Sequence, residues 1–310
     1  MTPDPFDVRT SRRTFLVGAA GLAVAAACGS DDDGVITTPR SGDGDGRDTT
    51  PQTNQADAPV QPVVASVDLA ARDDPQRFTF GVLRKVENNQ YEAVEGPAAS
   101  VSFRGPGGRR VRAQPAVFRN TALPGDAPHG AYTTEVVLDA TGVWYAEVHV
   151  ADESGSAPFE VAADYAVPSV GSDAPRAASP TADEPLGADP VCTREPPCAL
   201  HAVSLDDVVG SGKPVVVLFA TPARCTSRFC GPIIEAFLDI AEPVADRAHF
   251  VHVEIFKDLE SNDVVPTVSA WELPTDPWLF AIDGSGEIVA RIDAAFDPEE
   301  MQSLVDAVTA

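Results

Sequence analysis

Four of the five cysteines in this 310-residue chain fall into two close pairs, Cys192 with Cys198 and Cys225 with Cys230. Cysteine does chemistry as its thiolate, which is favoured where unpaired N–H groups and the positive end of a helix dipole meet the sulfur. The second pair has that setting. Val215-Val216-Val217-Leu218-Phe219 is a continuous β-branched and apolar run, the pattern of a buried strand covered on both faces. A turn carries the cysteines, and Ile233 to Ile240 then spaces its apolar residues as a helix does. Cys230-Gly231-Pro232 therefore stands where the helix begins, and Pro232 suits a first turn, where its missing N–H costs nothing.

Thiol–disulfide exchange is the chemistry this predicts, with Cys230 attacking and Cys225 resolving the mixed disulfide. The reverse order stays open, because the helix could begin nearer Thr226 and kink at Pro232. Arg224 and Arg228 flank the pair and could lower a thiol pKa, though such arginines are more often solvated. Glu254 is a candidate proton carrier, against the plainer reading of a carboxylate near a surface edge.

Cys192-Thr193-Arg194-Glu195-Pro196-Pro197-Cys198 has no strand-to-helix junction to position it. A structural disulfide between Cys192 and Cys198 is expected, closing a loop too short to reach the roughly 3 kcal/mol of a fifteen-residue one. No metal and no cofactor is expected. His129 and His149 lack a surrounding His or Met cluster. Copper chaperones of the fold this segment resembles place a histidine just before the strand that follows; here Pro274-Thr275-Asp276-Pro277 stands there, while His249 and His252 lie on the preceding strand.

The elements around the second pair extend the pattern. His249 to Phe256 reads as a strand, Trp278 to Asp283 and Ile288 to Ile292 as two more around the turn Gly284-Ser285-Gly286-Glu287, and Pro298 to Val308 as a closing helix. Residues 192–310 resemble a thioredoxin-like domain, with the Cys-Gly-Pro of thioredoxins at Cys230-Gly231-Pro232 and Ile233 where their second cysteine would stand. The pairing here is Cys-x4-Cys. The resemblance to exported bacterial members implies a cis-proline at Pro277, with Asp283 and Gly286 at the matching offsets, and a protein thiol or disulfide as partner. A redox-inactive adaptor of the same fold, its disulfides purely structural, is the alternative.

Residues 61–168 alternate at period two in several short runs, Phe78–Leu83, Ala99–Phe103, Tyr132–Leu138, Val143–Val150 and Pro158–Val161, with Gly- and Pro-rich turns between. A β-sandwich resembling an immunoglobulin-type domain is expected there. Residues 169–191, rich in Pro, Ala and Asp, read as a linker. Residues 29–60 carry few apolar side chains and read as a disordered tether. Asp43 and Asp45 begin an EF-hand spacing that fails at Arg47, Asp48 and Asn54.

Residues 1–28 read as an export signal. Ser11-Arg12-Arg13-Thr14-Phe15-Leu16 resembles a twin-arginine signal, and Leu16 to Ala27 is too short for a stable span. Ala25-Ala26-Ala27-Cys28 resembles a bacterial lipobox, which implies a lipid on Cys28 and a membrane-anchored, extracytoplasmic, disulfide-permissive location. The formal net charge of −25 argues against nucleic acid as a partner, since a phosphate backbone demands clustered cations.

Overall fold

Period-two alternation builds the first half of the protein. A computed structural model describes residues 58–86, 90–224 and 229–310. The export signal with Cys28, residues 29–57 of the tether, Cys225 and Arg228 lie outside the described residues. Strands β1 (Val60–Val64), β2 (Gln76–Lys85), β3 (Tyr91–Ala93), β4 (Ala99–Arg104), β5 (Arg110–Asn120), β6 (Gly130–Val136), β7 (Gly142–Val150) and β8 (Glu153–Val161) form an eight-stranded sheet. Its order is β1-β2-β6-β5-β4-β7-β8, with β3 on β2 and every pairing antiparallel.

The long strand β5 joins the two halves of this sheet. Its first part pairs with β4 and its end, Val117 to Asn120, with β6. The inward residues of β2, β4 and β7 meet in one core: Phe78 and Phe80, Val101 and Phe103, Trp144, Ala146 and Val148. Phe78 meets Phe103 edge-on with ring centroids 4.9 Å apart. Trp144 closes one end, its Nε1–H donating to the Ala140 carbonyl at 2.8 Å. A Cβ at residue 105 would lie 2.6 Å from that indole, which is why glycine stands there. His149 points outward from β7, as its alternation with Val148 and Val150 predicts.

A second sheet has the order β10-β9-β11-β12, from β9 (Val215–Phe219), β10 (His249–Val253), β11 (Trp278–Ile282) and β12 (Ile288–Asp293). β10 runs parallel to β9, while β11 pairs antiparallel with both β9 and β12. All five residues of β9 are buried because each face has a cover. Val216, Leu218 and Ala220 pack under helices α2 (Cys230–Ala241) and α4 (Pro298–Thr309). Val215, Val217 and Phe219 pack on the other side with Leu205 of α1 (Leu205–Val208), Val268 of α3 (Pro266–Ala270) and Trp271. The β11–β12 turn is held by Asp283, whose Oδ1 accepts from the backbone N–H groups of Ser285, Gly286 and Glu287. Gly286 supplies the φ of 102° that a side chain would resist.

Residues 169–191 are not a free linker. Gly171 N–H donates to the Ile288 carbonyl at 2.8 Å, Ala174 N–H to that of Gly286 at 2.9 Å, and Ala174 and Ala188 are buried in the core under β9. The stretch is short of large apolar residues, yet small side chains fit where a backbone lies flat on a sheet.

Both sheets belong to one compact unit. Arg77 of β2 donates to Glu300 of α4 at 2.9 and 3.0 Å and to the carbonyls of Asp293 and Ala295. Asp297 caps α4 by accepting from Glu300 N–H at 2.9 Å. Among the described residues no helix is long and apolar enough to cross a membrane.

Candidate active site at the start of helix α2

Helix α2 begins at Cys230, after Phe229, whose carbonyl accepts from Ile233 N–H at 3.0 Å. Phe229, at the N-cap position, makes no side-chain cap, and no acidic residue sits in the first turn. The positive end of the helix dipole thus faces whatever anion forms there. Gly231 and Pro232 occupy that first turn as expected.

Cys230 is disulfide-bonded and fully buried. Its sequence partner in the Cys-x4-Cys pair, Cys225, lies outside the described residues. The Asp276 carboxyl faces it, with Oδ2 3.4 Å from Cys230 Sγ. Asp276 precedes Pro277 across a cis peptide bond, at the position the thioredoxin resemblance implies. Burial holds the Asp276 carboxyl above the usual carboxylate range, against the opposing pull of the Thr221 backbone N–H. The sequence carried a signal for this residue, an acid immediately before the expected cis-proline, but nothing in its spacing reveals that it faces the sulfur.

A raised carboxyl pKa means the native state holds this proton more tightly than the unfolded chain does. The associated stability is present below the ordinary aspartate range and is lost as pH rises through the raised native value. Asp276→Asn, whose amide oxygen can still accept from Thr221, removes that loss. Thermal melts of the two proteins should therefore diverge as pH rises through this window, the asparagine form becoming relatively more stable. A constant difference across pH would rule the burial effect out.

The other expected participants go elsewhere. Arg224 stacks on Phe256 with its guanidinium carbon 4.1 Å from the ring centroid, and donates to the carbonyls of Asp258 and Ser261. Its guanidinium is thus held by the segment that follows β10. Glu254 is fully buried rather than at a surface edge, because Thr193 folds over the end of β10 and donates to it from N–H at 2.6 Å and Oγ1 at 2.9 Å. Burial raises its carboxyl pKa. Near Cys230, a loop of the first sheet contributes: the His129 ring lies 4.9 Å from that of Phe229, and His129 Nδ1 is 2.7 Å from Glu95 Oε1.

Cys192 and Cys198 do not form the expected disulfide. Their sulfurs are 3.8 Å apart and both are free; bonding would need about 2.05 Å. The loop folds the pair inward onto His252 of β10 and onto His201, a residue the sequence reading passed over.

No family model matches the chain, and no curated protein is significantly similar to it. Among solved structures, a chain assigned as a thiol:disulfide interchange protein DsbE from Chlorobium tepidum is matched over 46% of this chain and 99% of that one, at 16% identity and a TM-score of 0.33.

Proposed function

We propose that this chain is a thiol–disulfide oxidoreductase of thioredoxin-like type, acting through Cys225 and Cys230. The observation that carries the proposal is Cys230 at the N-terminus of helix α2, 3.4 Å from the Asp276 carboxylate that precedes Pro277. Full burial of Cys230 reverses the order favoured by the sequence: a sulfur closed to solvent suits resolution, and Cys225 is then the one that meets substrate.

In the reducing direction the Cys225 thiolate attacks a substrate disulfide. A Cys225–substrate disulfide forms, and one substrate thiolate leaves and takes up a proton. Cys230 then gives its proton to Asp276 and attacks Cys225 Sγ. The Cys225–Cys230 bond closes as the second substrate sulfur departs with a proton. Two electrons pass to the substrate, and an external dithiol returns them.

The sequence supports the rest of this reading: an export signal over residues 1–28, a lipid on Cys28, a tether from residue 29 up to the first strand and an extracytoplasmic membrane location. The first sheet, in the same reading, is an immunoglobulin-type module that brings His129 to the rim of the redox site.

The burial of Cys230 equally favours a second reading, a redox-inactive adaptor in which the disulfide is structural. Native reduction separates the two. The oxidised chain is treated with dithiothreitol without denaturant, alkylated, and mapped by peptide mass. Labelling of Cys225 and Cys230, with catalysed reduction of a disulfide peptide, is the expected result. A pair that opens only in denaturant would leave the adaptor reading standing.

A further inference from the structure

The cluster formed by Cys192, Cys198, His201 and His252 has the composition and dimensions of a tetrahedral metal site. Their ligand atoms lie within 4.8 Å of one another. Zinc bound at about 2.3 Å to sulfur and about 2.0–2.1 Å to nitrogen would hold its ligand atoms apart at set distances. Tetrahedral angles place sulfurs about 3.8 Å apart, sulfur and nitrogen about 3.6 Å, and two nitrogens about 3.3 Å. Here Cys192 Sγ and Cys198 Sγ are 3.8 Å apart, His252 Nδ1 is 3.5 and 3.9 Å from the sulfurs, and the two imidazole nitrogens are 3.1 Å apart. A disulfide would have drawn the sulfurs together and left the histidines out.

Proton bookkeeping points the same way. His252 Nε2 is 3.0 Å from the Ala220 carbonyl, which can only accept, so the proton sits on Nε2 and the Nδ1 lone pair faces the cluster. His201 turns Nε2 towards that lone pair, and its Nδ1 is buried without a hydrogen-bond partner among the described residues. Two sulfurs and two ring nitrogens thus converge on one point in a buried setting, where Cys192, His201 and His252 are 7%, 5% and 0% exposed. Thiol and imidazole protons could link these atoms only pairwise, whereas one cation engages all four.

The surrounding bonds hold the ligands in place. Cys198 N–H points at Cys192 Sγ at 3.4 Å, the N–H···S contact that supports a thiolate ligand. Arg194, between the cysteines, donates to both carboxylate oxygens of Glu235 on α2 at 2.7 and 2.9 Å. His252 N–H donates to the Leu200 carbonyl at 3.0 Å, locking the Cys198–His201 segment along the edge of β10.

We propose that Cys192, Cys198, His201 and His252 bind one Zn²⁺ in a closed structural site that fastens the 192–201 loop to the second sheet. Two thiolates and two imidazoles in tetrahedral array are a zinc ligand set. The proposal is independent of exchange at Cys230.

The test uses the reduced full chain, stripped of metal with a chelator and titrated with Zn²⁺ and, separately, Co²⁺. Uptake of one Zn²⁺ per chain is expected, with Co²⁺ giving the intense visible bands and sulfur-to-metal charge transfer of a tetrahedral thiolate centre. Cys198→Ser and His201→Ala should each lose stoichiometric uptake, while Cys225→Ser/Cys230→Ser should keep it. If the ligand variants fail to fold, the cobalt spectrum of the parent chain still decides. No uptake, a pale octahedral cobalt spectrum, uptake surviving in Cys192→Ser/Cys198→Ser, or a parent that takes Cu(I) and refuses zinc would each overturn the proposal.

Discussion

Cys230→Ser should lower thiol–disulfide exchange by about 10³-fold or more, because removing a covalent participant stops the sequence at one step. Which step stops follows from burial. With Cys230 inaccessible and Cys225 meeting the substrate, the serine variant can form the Cys225–substrate disulfide but cannot break it. A covalent complex should therefore accumulate, visible as a mass increase that dithiothreitol reverses. Cys225→Ser should be just as slow yet trap nothing. The fold tolerates the change, since a serine hydroxyl at 230 can donate to Asp276 Oδ2, which already lies 3.4 Å from the sulfur. Losing a disulfide in so short a loop costs less than the roughly 3 kcal/mol of a fifteen-residue one. A Cys230→Ser protein with parental turnover would refute the oxidoreductase reading, and a complex trapped on Cys230 in Cys225→Ser would reverse the roles again.

How much of this was legible in the sequence depends on whether a signal is local. The run Val215–Phe219 announces a strand covered on both faces, and it is one; the helix after it begins at the cysteine, and Pro277 takes the cis form where the resemblance placed it. These features are written in consecutive residues. Strand β5 was not foreseen, because it lies largely exposed, carries Pro115, and changes partners midway, so its apolar alternation is diluted. Glu254 and Arg224 misled for a related reason: their partners, Thr193 and Phe256, are fixed by loops folding over the sheet edge. The four-residue cluster failed differently. Cys192 and Cys198 suggested a pair complete in itself, whereas one of the four ligands, His252, arrives from a strand 54 residues beyond Cys198. His201, at Cys-x2-His spacing from Cys198, was the one local hint.

Arg291→Ala should cost about 3 kcal/mol of stability, the scale for stripping one partner from a buried ion pair. Arg291, on β12, is 12% exposed at its side chain, and its partner Asp68, on the segment between β1 and β2, is 6% exposed; they meet at 2.8 Å. The guanidinium also donates to the carbonyls of Val167 and Pro168 at 2.9 and 3.2 Å and covers the Tyr165 ring at 4.3 Å. One side chain thus ties the second sheet to the segment that leaves the first. Among the described residues, truncation leaves the Asp68 carboxylate with the N–H groups of Ala166 and Val167, and two carbonyls without this donor. Lysine should restore little, since an ammonium cannot reproduce the fork that reaches carboxylate and carbonyls together. The buried tryptophans offer a readout on each side, Trp144 in the first core and Trp271 and Trp278 in the second. If Arg291 couples the halves, the variant should unfold in two separable steps, with the drop largest in the half that melts first. A single transition within about 1 kcal/mol of the parent would show that Arg77 and Arg119, which bind the start of α4 from β2 and β5, carry the coupling without it.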